Sequence, residues 1–248
     1  MVSNQQKQID NKTMNRIKTV LATLAVVACA ASAMAIQNQT IWVSDSGGGI
    51  SLVPATSTSG AVIYSGGDAF WIVVISTGVA SPPAVGQGTL TAPVLDLNVQ
   101  ATSAGGANAS LHPLSITFGA DGYGPTAGMF NGIMSGHVVS GSGQSMTFNT
   151  YYEANNTPIA NPSATLLTAQ SFPGGATYNG TATSGAVNLA ALYALEEVVT
   201  LQANANGATY SLDGSLISTP TGVPDGGTTA MLLGAALSVL GLIRRKLA

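Results

Sequence analysis

Between residues 36 and 222 the chain is cut into short apolar or alternating runs by Gly, Pro, Asn and Ser, and it holds no long amphipathic helix. A chain punctuated at that spacing reads as all-β. Strands are expected near Thr40–Val43, Ala61–Tyr64, Phe70–Ser76, Val94–Thr102, Leu114–Phe118, Gly128–Met134, Ser145–Tyr152, Ala164–Ala169, Leu192–Ala203 and Ala208–Ser218. The run Phe70–Ile75 is continuously apolar and rich in β-branched residues, which predicts a central strand covered on both faces. Residues Val187–Glu197 have the Ala, Leu and Glu content of a helix, but Val198-Val199-Thr200-Leu201 continues as strand, so strand is expected from Leu195 onward. The last two strands are joined by Asn204-Ala205-Asn206-Gly207, and Asn-Gly accepts the positive φ angles of a tight hairpin. About ten strands without a helix point to an antiparallel β-sandwich of jelly-roll type.

Charge is segregated along the chain. All seven basic residues lie at the ends: Lys7, Lys12, Arg16 and Lys18 before the first apolar run, and Arg244, Arg245 and Lys246 after the last. The acids Asp45, Asp68, Asp96, Asp121, Glu153, Glu196, Glu197, Asp213 and Asp225 are spread through an interior with no Lys or Arg. Nucleic acid is excluded as a partner, because neutralising phosphates needs cations. Phosphate-bearing cofactors are disfavoured for the same reason, and no cofactor is expected. The single Cys29 rules out an internal disulfide framework and a thiolate zinc site.

Both ends read as membrane signals. From Met14, the expected start, Arg16 and Lys18 precede the apolar stretch Val20–Ala31, and Ala33-Met34-Ala35 supplies small residues two apart. That order defines a secretory signal peptide within residues 1–35, cut after Ala35 by signal peptidase to leave Ile36. Val26-Val27-Ala28-Cys29 also loosely resembles a lipobox, which would acylate Cys29. At the other end, residues 223–248 comprise Val223-Pro224-Asp225-Gly226-Gly227, an apolar run over 229–243, and the Arg244-Arg245-Lys246 cluster. A helix over that run spans roughly 22 Å against a bilayer core near 30 Å, a gap that thinning and snorkelling close. Cationic flanks stay cytoplasmic, so the segment between them, residues 36–222, is exported as a sandwich flanked by the signal peptide and the C-terminal hydrophobic helix.

The tripartite tail resembles the bacterial sorting signals of the PEP-CTERM class, closest to the variant reading Val-Pro-Asp-Ser-Gly. Val223, Pro224, Asp225 and Gly227 match, while Gly226 stands where Ser is usual. The resemblance implies recognition and removal of the tail by an exosortase, a membrane cysteine transpeptidase-like enzyme. It also implies transient anchoring in the inner membrane, then a place at the cell surface or in an extracellular, exopolysaccharide-linked matrix.

No catalytic constellation stands out. Gly143-Gln144-Ser145-Met146-Thr147 lacks the last Gly of a nucleophile elbow. His112 and His137 have no metal-ligand spacing, scattered Asp residues mark no calcium site, and no metal is expected. Glu196 and Glu197 are adjacent, so on a strand they face opposite ways and cannot flank one glycosidic bond. Gly122-Tyr123-Gly124-Pro125-Thr126-Ala127 imitates a dinucleotide fingerprint, yet Pro125 and the absence of a following helix argue for a turn. Among the rings Trp42, Trp71, Tyr64, Tyr123, Tyr151 and Tyr152, Trp71 is expected in the core, and Tyr123 and Tyr151 are the candidate carbohydrate contacts. The expected function is a non-enzymatic surface or matrix protein, with a carbohydrate-binding module acting on exopolysaccharide as the alternative.

Overall fold

The computed structural model describes residues 38–46, 55–57, 61–81, 93–104, 111–142, 144–157, 164–202 and 206–220. The chain divides into Met1–Ala35 and Ile36–Ala248, and every described residue lies in the second unit. The signal-peptide site at Ala33 and Ala35, the sorting motif Val223–Gly227, the helix expected over 229–243 and the Arg244–Lys246 cluster lie outside the described residues.

Thirteen strands follow in order: β1 (Gln39–Asp45), β2 (Ala55–Ser57), β3 (Ala61–Gly67), β4 (Trp71–Ser81), β5 (Val94–Ser103), β6 (Leu114–Tyr123), β7 (Thr126–Gly141), β8 (Met146–Glu153), β9 (Thr165–Phe172), β10 (Thr177–Thr183), β11 (Val187–Leu189), β12 (Tyr193–Leu201) and β13 (Ala208–Pro220). They form the expected two-sheet antiparallel sandwich. The six-stranded sheet runs β2-β1-β6-β12-β8-β9; the seven-stranded sheet runs β10-β7-β13-β5-β4-β3, with β11 also on β7. Among the described residues no helix is long and apolar enough to cross a membrane.

Alternation builds the core. Ile41 and Val43, Ile116 and Phe118, Phe148, Val199 and Leu201 face inward from one sheet, and Trp71, Val73, Leu97, Val99, Phe130, Leu212 and Leu216 from the other. Two such faces bury each other about 10 Å apart. Trp71 is fully buried, as expected, and its indole N–H donates to the His112 carbonyl at 2.7 Å. Within residues 187–197, Val187–Leu189 and the residues from Tyr193 onward are strand, with no helix.

Two expectations are corrected. The run Phe70–Ile75 is not covered on both faces. Trp71, Val73 and Ile75 point into the core, whereas Ile72 is 58% and Val74 38% exposed, and β4 stands second from its sheet edge. Outward β-branched residues satisfy strand propensity there without being buried. The last two strands are not a hairpin either. β12 pairs with β6 and β8, and β13 with β5 and β7, so residues 202–207 cross from one sheet to the other. Each strand carries a full apolar inner face, and placing them in opposite sheets lets those faces seal against each other. Gly207 does adopt a positive φ of 76°, but at a crossover.

One ionisable group lies inside the sandwich. Glu197 alternates with Leu195 and Val199 on the inner face of β12, opposite Phe118 and Thr150. Its carboxyl is fully buried. Burial, then the nearby charges of Asp96 and Asp213, hold its pKa well above the ordinary carboxylate value, with the Leu216 backbone N–H opposing part of the rise. The folded state therefore keeps this proton while the unfolded chain releases it above its ordinary pKa. The contribution of Glu197 is most favourable below that pKa and declines as pH rises, until the buried carboxyl itself ionises. Glu197→Gln should flatten that decline, removing up to about 1.4 kcal/mol of stability loss per pH unit over the window. Urea melts of both proteins from pH 5 to 8 measure it, and parallel profiles would contradict the buried proton.

Candidate functional site

On the seven-stranded sheet, polar residues pointing away from the core are set in rows by the register, beside outward apolar ones such as Ile72, Val74 and Ile133. Asn179, Ser135, Asp213 and Asn98 stand side by side across β10, β7, β13 and β5. The next row holds Thr177, His137, Ser211 and Gln100. These residues are placed by the apolar ones between them: Met134, Leu212, Leu97 and Val99 are drawn into the core, so their neighbours must face water. The rows leave an open groove of about 390 Å³ lined by Asn98, Ser135, His137, Asn179, Ser211 and Asp213.

Beside the groove Asp96 contacts Asp213. Burial, then the Asp213 charge and a hydrogen bond to its carboxyl, raise the Asp96 pKa. Hydrogen-bond contact brings them closer than the roughly 5 to 9 Å that glycosidase carboxyls keep. What the groove offers chemically is a set of amides, hydroxyls, an imidazole and an acid pair with no cation.

The outer face of the six-stranded sheet holds another set. Thr40, Gly119, Glu196, Tyr151 and Leu166 form one row, and Trp42, Thr117, Val198 and Asn149 the next. Tyr151 and Trp42 are both half-buried, and their strands are three spacings apart, roughly 15 Å, so the rings cannot clasp one sugar. Tyr123 is elsewhere: it is fully buried, its ring 5.8 Å from that of Tyr193, and its hydroxyl has no partner. Burial, then Tyr193, Glu197 and Asp121, push the Tyr123 pKa well above its ordinary value. The two candidate rings are thus not brought together, and Tyr123 is core rather than contact. Tyr64 and Tyr152 pack against the core as well.

The remaining acids are engaged locally. Asp121 accepts from the Asn38 backbone N–H at 2.8 Å and its side-chain amide at 3.0 Å. Glu153 accepts from the Asn155 backbone N–H at 3.1 Å. Glu196 and Glu197 face opposite ways, as adjacency requires. His112 stacks on Phe70 with ring centroids 3.7 Å apart, and its Nδ1 lies 3.4 Å from Asp45 Oδ2, while His137 lines the groove on the far sheet. Among the described residues no three His, Cys, Asp or Glu side chains are grouped to hold a metal. Gly124 and Pro125 form the turn between β6 and β7, and Gly143 lies outside the described residues. The groove was missed from sequence because its residues come from four strands and share no motif.

Fold and faces define a two-sheet sandwich whose outer faces carry hydroxyls, amides and a few acids but no Lys or Arg, and the C-terminal segment adds its destination. Residues 222–247 match the VPDSG-CTERM motif, a sorting signal of the PEP-CTERM class that includes Val223–Gly227 and the Arg244–Lys246 cluster. That signal implies an exported protein, directed to the cell surface and processed by an exosortase-type enzyme. No curated protein is significantly similar to the chain. Among solved structures it is similar to an isomalto-dextranase of Arthrobacter globiformis T6 complexed with panose, at 17% identity and a TM-score of 0.25, over 73% of this chain and 30% of the enzyme. The chain thus spans less than a third of that enzyme, and so shallow a likeness carries no activity across.

Asp213→Asn should lower the Asp96 midpoint toward the ordinary aspartate range, because it removes the competing charge while keeping the shape. Carboxyl-resolved NMR titration reads this directly; an unmoved midpoint would leave burial as the whole cause.

Proposed function

We propose that the protein is a non-catalytic component of the cell surface or its extracellular matrix, delivered by its two terminal signals. Signal peptidase removes residues 1–35, the helix over 229–243 holds the chain transiently in the inner membrane, and the exosortase-type enzyme then removes the tail. The observation that carries the non-catalytic part is the state of the acids. Glu197 is in the core, Asp121 and Glu153 are tied to backbone N–H groups, and Asp96 and Asp213 touch each other. Intact-mass measurement on the extracellular protein from the producing cells, beside a chain lacking 223–248, tests the route. The mature species should begin at Ile36 and lack Arg244–Lys246; a species that keeps Arg244 would mean a permanent anchor.

Carbohydrate binding is the second reading, and the groove favours it, since amides, hydroxyls and a carboxyl suit sugar hydroxyls. With no cation in the sandwich, a neutral polysaccharide fits better than an acidic one. On a glycan array, Asn98→Ala or His137→Ala should lower binding at least tenfold and Tyr151→Ala leave it unchanged. The opposite pattern would move the site to the six-stranded sheet, and an array without hits would dispose of the reading.

A further inference from the structure

We propose that β10 is an assembly edge, at which a second copy of this chain adds its own β10 antiparallel and extends the seven-stranded sheet across a two-fold axis. The inference deepens the structural role by naming its partner, and it rests on that reading for its place outside the cell.

A sheet edge is a row of unpaired N–H and C=O groups, and proteins guard it with short strands, bulges, proline or charge, above all lysine. Lysine is unavailable here, because no Lys or Arg occurs between Thr19 and Ile243. Among the described residues four of the five edge strands use another device, the three-residue β11 by its shortness. β2 is only three residues long, and β3 and β9 carry register shifts at Val62/Tyr64 and Thr150/Tyr151. β10 uses none: it pairs with β7 in unbroken register over seven residues, and its sequence Thr-Tyr-Asn-Gly-Thr-Ala-Thr has neither charge nor proline.

Register also shows which backbone groups are free. The Val138 N–H donates to the Ala176 carbonyl at 2.9 Å, which sets residues 176, 178, 180 and 182 to bond toward β7. The N–H and C=O groups of Thr177, Asn179, Thr181 and Thr183 therefore point off the sheet, and among the described residues no strand pairs with them. Those four residues have exposed side chains, while Gln170 and Phe172 of β9 lie beside Gly180 on the inner face. The inner face of the strand is fixed instead: Tyr178 is fully buried, donates to the Gln144 carbonyl at 2.8 Å and meets Phe172 edge-on at 6.0 Å. A rigid strand with free outward groups is already shaped for pairing.

The edge is complementary to itself. Antiparallel pairing centred on Gly180 sets Thr177 opposite Thr183 of the second copy and Asn179 opposite its Thr181, with about eight main-chain hydrogen bonds formed by the outward groups. Gly180 then meets its counterpart at a non-hydrogen-bonded position, where strands approach most closely and a missing side chain helps. Two copies carry the same negative charge, and β10 brings none of it to the contact. That is why the occupant is a second copy rather than a charged partner.

Sedimentation velocity over a concentration series of the extracellular protein, with amide hydrogen exchange at each concentration, tests the pairing. The expected result is a species of twice the single-chain mass, together with concentration-dependent slowing of exchange, at least tenfold, at Thr177, Asn179, Thr181 and Thr183. The double variant Asn179→Lys/Thr181→Lys, which sets like charges opposite one another, should return the single-chain mass with an unchanged circular dichroism spectrum. A monomer at every concentration, a dimer that survives the double variant, or slowing at another edge would each overturn the proposal. If the double variant does not fold, the exchange pattern of the unaltered protein decides alone. Measuring export and trimming in the same culture separates the readings: an exported, trimmed monomer sinks the edge alone, whereas a chain retained in the cytosol sinks the surface role even if it pairs.

Discussion

A sandwich without a single cation must hold its acids by other means, and that constraint reaches most of what is distinctive here. Backbone N–H groups hold some of them. Asp68 accepts from the backbone N–H groups of Phe70 and Trp71, both at 2.7 Å, and so closes the turn that feeds β4 into the core. Asp121 ties the entry of β1 to β6 through Asn38. Where no such donor is available, protons replace cations: Glu197 keeps its proton in the core, and Asp96 binds one more tightly beside Asp213. Hydrogen bonds to backbone donors and retained protons are both cheaper than a buried unpaired carboxylate.

The same constraint shapes the exterior. Solubility ordinarily rests on interspersed charges, yet the outer rows here are Thr, Ser, Asn and Gln with single outward apolar residues such as Ile72 and Val74. Such faces hydrate through hydroxyls and amides. They exert little long-range field, so contacts made there are short-ranged and only weakly sensitive to salt. A polar, field-poor surface tolerates close approach of neutral polymers and of other copies of itself, which is why one composition underlies both the groove reading and the edge reading.

Strand placement was legible wherever a run carried its own alternation. Leu95, Leu97 and Val99, or Leu212 and Leu216, are separated by polar residues or glycine, and their strands fall where the pattern puts them. β10 escaped because Tyr178 is its only large inward side chain: Gly180 and Ala182 follow where a sequence pattern needs two more apolar residues. β2 and β11 are three residues each, too short for a period to register. The misread hairpin has a different cause. Asn206-Gly207 states that the chain turns, but pairing is decided by which neighbours can bury Leu201 and Tyr210, and that information lies on β6, β8, β5 and β7. The groove is illegible for the same reason, since Asn98 and Ser135 become neighbours only through Asp213 on the strand between them. The tail, by contrast, is a local code read by an enzyme from a contiguous stretch, and it was recognisable as written.

An unguarded β10 is hazardous inside a cell and useful outside one, and the distribution of cations bears on that difference. Basic residues resist export when they flank a membrane segment, and this chain confines them to its two extremities. A lysine on β10 would guard the edge at no cost to the core, since its side chain would lie on the exposed face beside Asn179. On the proposed route the chain crosses the membrane before the sandwich forms, so the edge first exists where pairing is wanted, and the tail delays release until folding is complete. On that route, guarding the edge by charge would remove the proposed contact, while guarding it by compartment keeps that contact for the surface.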